Sequence, residues 1–203
     1  MDKKLLFYGG IFGPLVFLLV DIIGGIITPD YNYIINAVSE LIQAGSKNTY
    51  LLSPFFLISA IMTVAFGIGM LLNYKDRRSK LLFTASILII TTGIFSGLTG
   101  TIFPMDPFNS EMTFAGIMHI ILTGISAVFV MLLILMIGIG FHREKQWKSF
   151  RLYSIITVII MVVFGGLTPA LIMNSIPLLG FFERIVIYAY LLWFFVLAFK
   201  LLK

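Results

Sequence analysis

Six ionisable residues stand inside or beside long apolar runs and are the candidates for chemistry: Asp21, Glu40, Asp106, His119, Glu183 and Arg184. An imidazole exchanges protons near neutral pH, so His119 is the natural general acid or base, with Asp21 or Asp106 to orient it and Glu40 as a second carboxylate. Ser39 becomes a nucleophile only if its loop brings it to His119. Arg184 suits an anionic group, and Asp21 and Tyr188 are further candidates for holding a ligand. The structural alternatives are equally concrete. Asp21 and His119 pair with each other, Arg184 pairs with Glu183 or Asp106, and Asp106 forms a turn between two prolines or caps the helix that follows it. One His with Glu40 and Asp106 is a weak metal-ligand set, and no metal site is assigned. Cysteine is absent, which removes disulfides and thiolate chemistry. No phosphate-binding, dinucleotide-binding, zincin or kinase motif occurs, and nothing in the chain names a cofactor.

The elements that must position these residues follow from composition. The 203 residues are 60% hydrophobic and 11% charged. With a mean hydropathy of +1.07, this is more apolar surface than a water-soluble core of that size hides. Lipid is therefore the solvent, and the fold class is an all-α polytopic membrane bundle. A hydrocarbon core of roughly 30 Å needs about 20 helical residues, and six segments qualify. They run near 5–27, 50–72, 81–103, 113–141, 152–173 and 182–201, in a single transmembrane domain. The first is too long for a signal-peptide core and lacks a small-residue cleavage site.

Of the 14 Lys and Arg, all but Lys47 and Arg184 fall on one side of the segments, at the termini and in the two basic loops. The positive-inside rule places that side in the cytoplasm, and the expected location is the plasma membrane. The net charge of +5 thus serves topology and headgroup contact rather than nucleic acid. Trp147, in the second basic loop, fits an interfacial anchor. Most of the acids lie toward the other face.

Asp21 and His119 each sit about six residues inside that outer boundary, or roughly 9 Å deep, a layer shared by Tyr188, Ser96 and Thr168. Between the first two segments, Ile34, Ile35, Val38, Leu41 and Ile42 recur three and four apart. This spacing predicts one amphipathic helix lying over the bundle mouth as a lid that carries Ser39 and Glu40. The stretch from Phe103 to Pro107 holds Asp106 between two prolines. The chain also reads as three tandem hairpins: Leu5-Leu6-Phe7 recurs as Leu81-Leu82-Phe83, and at the same offset Gly24 matches Gly100 and Asp30 matches Asp106.

Pro29 with the Tyr-rich stretch leading to Ser39-Glu40-Leu41, then Phe103-Pro104-Met105-Asp106, then His119, together resemble the family called domain of unknown function 998, of bacterial and archaeal membrane proteins. The resemblance covers nearly the whole chain and implies Glu40, Asp106 and His119 as its characteristic polar positions. It implies no reaction. One departure is Ile42, where a Gly is expected after Ser39-Glu40-Leu41.

Two functions follow. One is an outward-facing polar cavity that binds a lipid or small amphiphile, with membrane lipids as partners. The other is a hydrolase or transferase acting on a lipid of the outer leaflet through His119 and its carboxylates. Transport is disfavoured because polar residues are sparse in the inner halves of the segments. Haem is disfavoured because His142 falls at the opposite end from His119. The Cys-free chain tests the topology directly: Asp76→Cys and Glu144→Cys are expected to resist an impermeant thiol reagent applied to intact cells. Labelling of either from outside contradicts the orientation.

Overall fold

A computed structural model describes residues 3–74, 79–141 and 147–203. Asp2, Lys75, Asp76, Arg77, Arg78, His142, Arg143, Glu144 and Lys145, which enter the topological argument, lie outside the described residues.

Every regular element among the described residues is helical. A short α1 (Lys3–Phe7) leads into α2 (Gly9–Ile27), followed by α3 (Thr49–Tyr74), α4 (Lys80–Thr101), α5 (Phe114–Gly140), α6 (Lys148–Met173) and α7 (Leu179–Leu202). Six helices, the first taken from Lys4 through Ile27, are long and apolar enough to cross a membrane. They match the expected segments to within a few residues. Polar caps mark two of the starts. Ser79 accepts a hydrogen bond from the Leu82 amide, and Thr113 accepts one from the Gly116 amide.

Each helix packs on the next in sequence, and α7 returns to α2. The bundle is therefore a closed ring of consecutive antiparallel hairpins. Bare backbone lets the α3–α4 pair approach closely: a Cβ on Gly67 would lie 2.7 Å from the Ile90 side chain, and one on Gly93 would lie 2.8 Å from Val64. The equivalence of Asp30 and Asp106 does not extend to their surroundings. Asp30 is exposed with a φ of 59°, whereas Asp106 is half-buried and bonded to Thr113.

Two cores divide the bundle along its axis. At the end carrying the chain termini, Phe66, Met70, Ile89, Leu133, Ile137, Trp193, Phe194 and Leu197 form one dense apolar cluster, with the Trp193 indole donating to Ser154 Oγ at 2.9 Å. Trp147 belongs to this cluster rather than to an exposed anchor: it stacks on Phe141 with ring centroids 3.9 Å apart, and the Lys200 ammonium lies 4.9 Å from its centroid. At the other end, here called distal, Val38, Leu41 and Ile42 pack on Val20, Leu52 and Phe56.

The loop between α2 and α3 is not one amphipathic helix. Only Val38–Ile42 is helical, as a single 3-10 turn. Leu41 is 0% exposed while Ile34 is 51% exposed, so the apolar spacing splits into a buried plug and an outward-facing turn. The physical reason lies upstream of the turn, where the carbonyls of Tyr33 to Asn36 accept hydrogen bonds from α7 instead of from the amides that follow them.

Candidate functional site

Arg184, buried near the distal end of α7, uses all five of its N–H donors inside the protein. Nε donates to Asp21 Oδ2 at 3.1 Å and Nη2 to Asp21 Oδ1 at 2.8 Å, a bidentate pair. Nη2 also donates to the Tyr31 hydroxyl, and Nη1 reaches the carbonyls of Tyr33 at 2.8 Å, Asn36 at 2.9 Å and Gly180 at 3.3 Å. Asp21, on α2, is 0% exposed and accepts a further hydrogen bond from Tyr188. The guanidinium lies 5.5 Å from the Tyr31 ring centroid and 5.0 Å from that of Tyr33, with the two rings edge to face.

This geometry requires the loop backbone to lie on the start of α7. A Cβ on Gly180 would stand 2.2 Å from the Asn36 carbonyl oxygen, and a Cβ on Gly25 would stand 2.3 Å from the Tyr33 ring. With hydrogens there instead, Gly180 and Phe181 give their otherwise unpaired helix-start amides to the carbonyls of Ile35 and Ile34. Glu183 accepts from the Val38 amide at 2.7 Å, and the Tyr33 hydroxyl donates to the Ile22 carbonyl. Burial pushes the Tyr31 phenol above the ordinary tyrosine range, so it keeps its proton and donates to the Ala37 carbonyl at 2.8 Å.

The expected site residues fall into two groups. Asp21, Arg184 and Tyr188 come together, but as partners of one another. Arg184 pairs with neither Glu183 nor Asp106, and Asp21 does not pair with His119. The second group gathers on the stretch after α4. His119 Nδ1 is 2.9 Å from the Phe103 carbonyl oxygen, Ser39 Oγ contacts Met105 Sδ at 3.1 Å, and Asp106 accepts from both the amide and hydroxyl of Thr113. Asp106 thereby holds the residue that caps α5. Glu40 accepts from the Ala37 amide at 2.6 Å and from the Asn36 side chain at 2.7 Å, a local brace for the 3-10 turn. No hydrogen bond among the described residues joins His119 to Ser39, Glu40, Asp106 or Asp21, and no group of three or more His, Asp or Glu there is placed to hold a metal ion.

Sequence reasoning missed Tyr31, Tyr33, Asn36, Gly25 and Gly180 as parts of the network. The signal available was an acid in the first segment and an arginine in the last, near one depth, with two tyrosines in the loop between. Also missed was a depression of about 340 Å³ on the distal face, lined by residues including Asp30, Asn36, Glu40, Gln43, Lys47 and Asn48. The Gln43 side-chain oxygen is buried without a partner.

A bundle of six helices long and apolar enough to cross a membrane, holding a buried Asp21–Arg184 pair near one end, defines a polytopic helical membrane protein. The chain belongs to the family described as protein of unknown function (DUF998), whose model matches residues 11–200. No curated protein and no solved structure matches the chain.

The ion pair generates a direct expectation. Removing one partner leaves the other charge buried, so Asp21→Asn and Arg184→Gln are each expected to cost about 3–5 kcal/mol of stability. In a double-mutant cycle read by unfolding of the detergent-solubilised protein, the pair is expected to cost less than the sum of the singles by more than about 1 kcal/mol. Additive losses contradict a direct pair.

Proposed function

We propose that the protein lies in the plasma membrane with cytoplasmic termini and an outward distal face, and that this face binds a lipid or small amphiphile by its polar part. The observation that carries the reading is the distal depression. Its volume of about 340 Å³ suits a headgroup or other small polar moiety. Its lining sets Asp30 and Glu40 against Lys47, the charge pattern that suits a zwitterion: carboxylates for an ammonium, and an ammonium for a phosphate or carboxylate. Gln43 also lines the depression, which adds a neutral polar group to the charged ones. The saturated Arg184 network underneath supports binding by fixing the Tyr31 to Asn36 wall in advance.

Binding is favoured over catalysis by what the candidate catalytic groups already do. Ser39 contacts Met105, Asp106 holds Thr113 and His119 meets the Phe103 carbonyl, so among the described residues these three candidates are each engaged elsewhere than with one another. The test is thermal stability of the purified chain titrated with phosphatidylethanolamine. Wild type is expected to gain several degrees, and Gln43→Leu or Lys47→Glu to lose at least half of that gain. Equal gains in all three proteins, or no gain in any, would overturn the reading.

A further inference from the structure

The polar groups that line the distal depression are of two kinds, those already engaged and those left free. Glu40 is engaged: its two carboxylate oxygens accept from the Ala37 amide at 2.6 Å and from the Asn36 side chain at 2.7 Å. The Asn48 side chain donates to the Ile27 carbonyl at 3.3 Å and to the Thr28 hydroxyl at 3.1 Å, which ties the end of the loop to the end of α2. Asp30 and Lys47 stand apart from this bracing. Both are exposed, and neither the carboxylate nor the ammonium has a hydrogen-bond or ion-pair partner among the described residues.

The backbone beneath both is fixed. Asp30 takes a φ of 59°, in the left-handed region, between Pro29 and a Tyr31 whose hydroxyl Arg184 holds. Lys47 sits between Gly45, whose φ of 81° turns the loop, and Asn48 with its bonds to the end of α2. An acid and a base are thus held on one depression without pairing. A ligand that carries both charges satisfies both, and the walls need no reordering to receive it.

The lining also decides the kind of cation. A quaternary ammonium has no N–H to donate and is recognised by aromatic faces. Tyr31 is the one aromatic among the lining residues, and its ring is already engaged, with the guanidinium 5.5 Å from its centroid and Tyr33 edge to face. A primary ammonium needs oxygen acceptors for its three N–H groups instead. Both Asp30 oxygens are unengaged, and the Ser46 hydroxyl, which gives its proton to the Leu41 carbonyl at 3.1 Å, keeps lone pairs for a further donor. Two acids, Asp30 and Glu40, face one base, Lys47, so a ligand bearing an anion alone is disfavoured.

We propose that the distal depression is selective for a primary ammonium joined to a phosphate, the phosphoethanolamine group, with Asp30 receiving the ammonium and Lys47 the phosphate, and that it discriminates against phosphocholine. This rests on the reading that the distal face takes a lipid or amphiphile by its polar part, and it adds which polar part and which residue selects it.

The experiment follows the thermal stability of the purified full chain in two arms. One compares phosphatidylethanolamine with phosphatidylcholine of the same acyl chains in detergent micelles, and the other compares free phosphoethanolamine with free phosphocholine. Wild type is expected to reach half of its stabilisation at a phosphatidylethanolamine concentration at least fivefold below that of phosphatidylcholine. Asp30→Asn removes the charge while tolerating the left-handed backbone, and is expected to erase that preference. Lys47→Gln acts on the phosphate that both lipids share, and is expected to weaken both while keeping the preference. Glu111→Gln, exposed at the distal end but outside the depression, is expected to change neither. Equal stabilisation by the two lipids, or a preference that survives Asp30→Asn, overturns the proposal. If the two lipids stabilise equally and both gains still fall with Lys47→Gln, the headgroup reading stands and the selectivity fails. If no compound in either arm stabilises the chain, both fall. A preference confined to the free compounds assigns the ammonium site to a soluble ligand and overturns the amphiphile reading alone.

Discussion

A guanidinium and a carboxylate removed from water between two membrane helices constrain everything else at the distal end. Each charge costs several kcal/mol to bury, and the cost is offset only when geometry is good and every remaining donor and acceptor is satisfied. Asp21 supplies two of the contacts Arg184 needs. The other donors require a hydroxyl and carbonyls, and these come from Tyr31, Tyr33, Asn36 and Gly180. The pair therefore determines the path of the loop from Pro29 to Ala37, ties the first span to the last, and closes the ring.

With the loop so placed, the rest of the distal face follows in order. Val38, Leu41 and Ile42 descend onto α2 and α3 as a plug, because the 3-10 turn begins where Glu183 holds the Val38 amide. The turn carries Ser39 to Met105, and the Ala44 amide reaches the Met105 carbonyl, so the first connection positions the second. The second in turn places Phe103 against His119 and Asp106 against the start of α5. The terminal half is built by a different rule. Its large apolar side chains, Phe66, Leu133, Trp193 and Phe194 among them, fill the ring.

The spans were legible in the sequence because hydrocarbon thickness alone fixes helix length, and the caps at Ser79 and Thr113 stand where chain polarity changes. The concentration of acids toward one face was legible for the same reason. The pairing of Asp21 with Arg184 was not, because the two are separated by nearly the whole chain and a linear sequence does not show that the last helix returns to the first. His119 looked like the natural partner of Asp21 at equal depth. In the ring, though, α5 faces α4 and α6, and the imidazole meets a carbonyl at the end of α4. The loop misled for a local reason: its three-and-four apolar spacing suits a helix, but Arg184 and the start of α7 compete for the carbonyls that such a helix would use internally.

The claim that Arg184 organises the distal face is tested most directly by hydrogen–deuterium exchange over residues 29–45 in the Arg184→Lys variant. A lysine keeps the charge opposite Asp21 but has three donors on one atom, and so cannot hold the carboxylate, the phenol and the loop carbonyls together. The account predicts that amides of this loop, those of Val38 to Ile42 included, lose protection by at least tenfold while the terminal halves of α4 and α7 exchange as in wild type. Unchanged protection across the loop would contradict it.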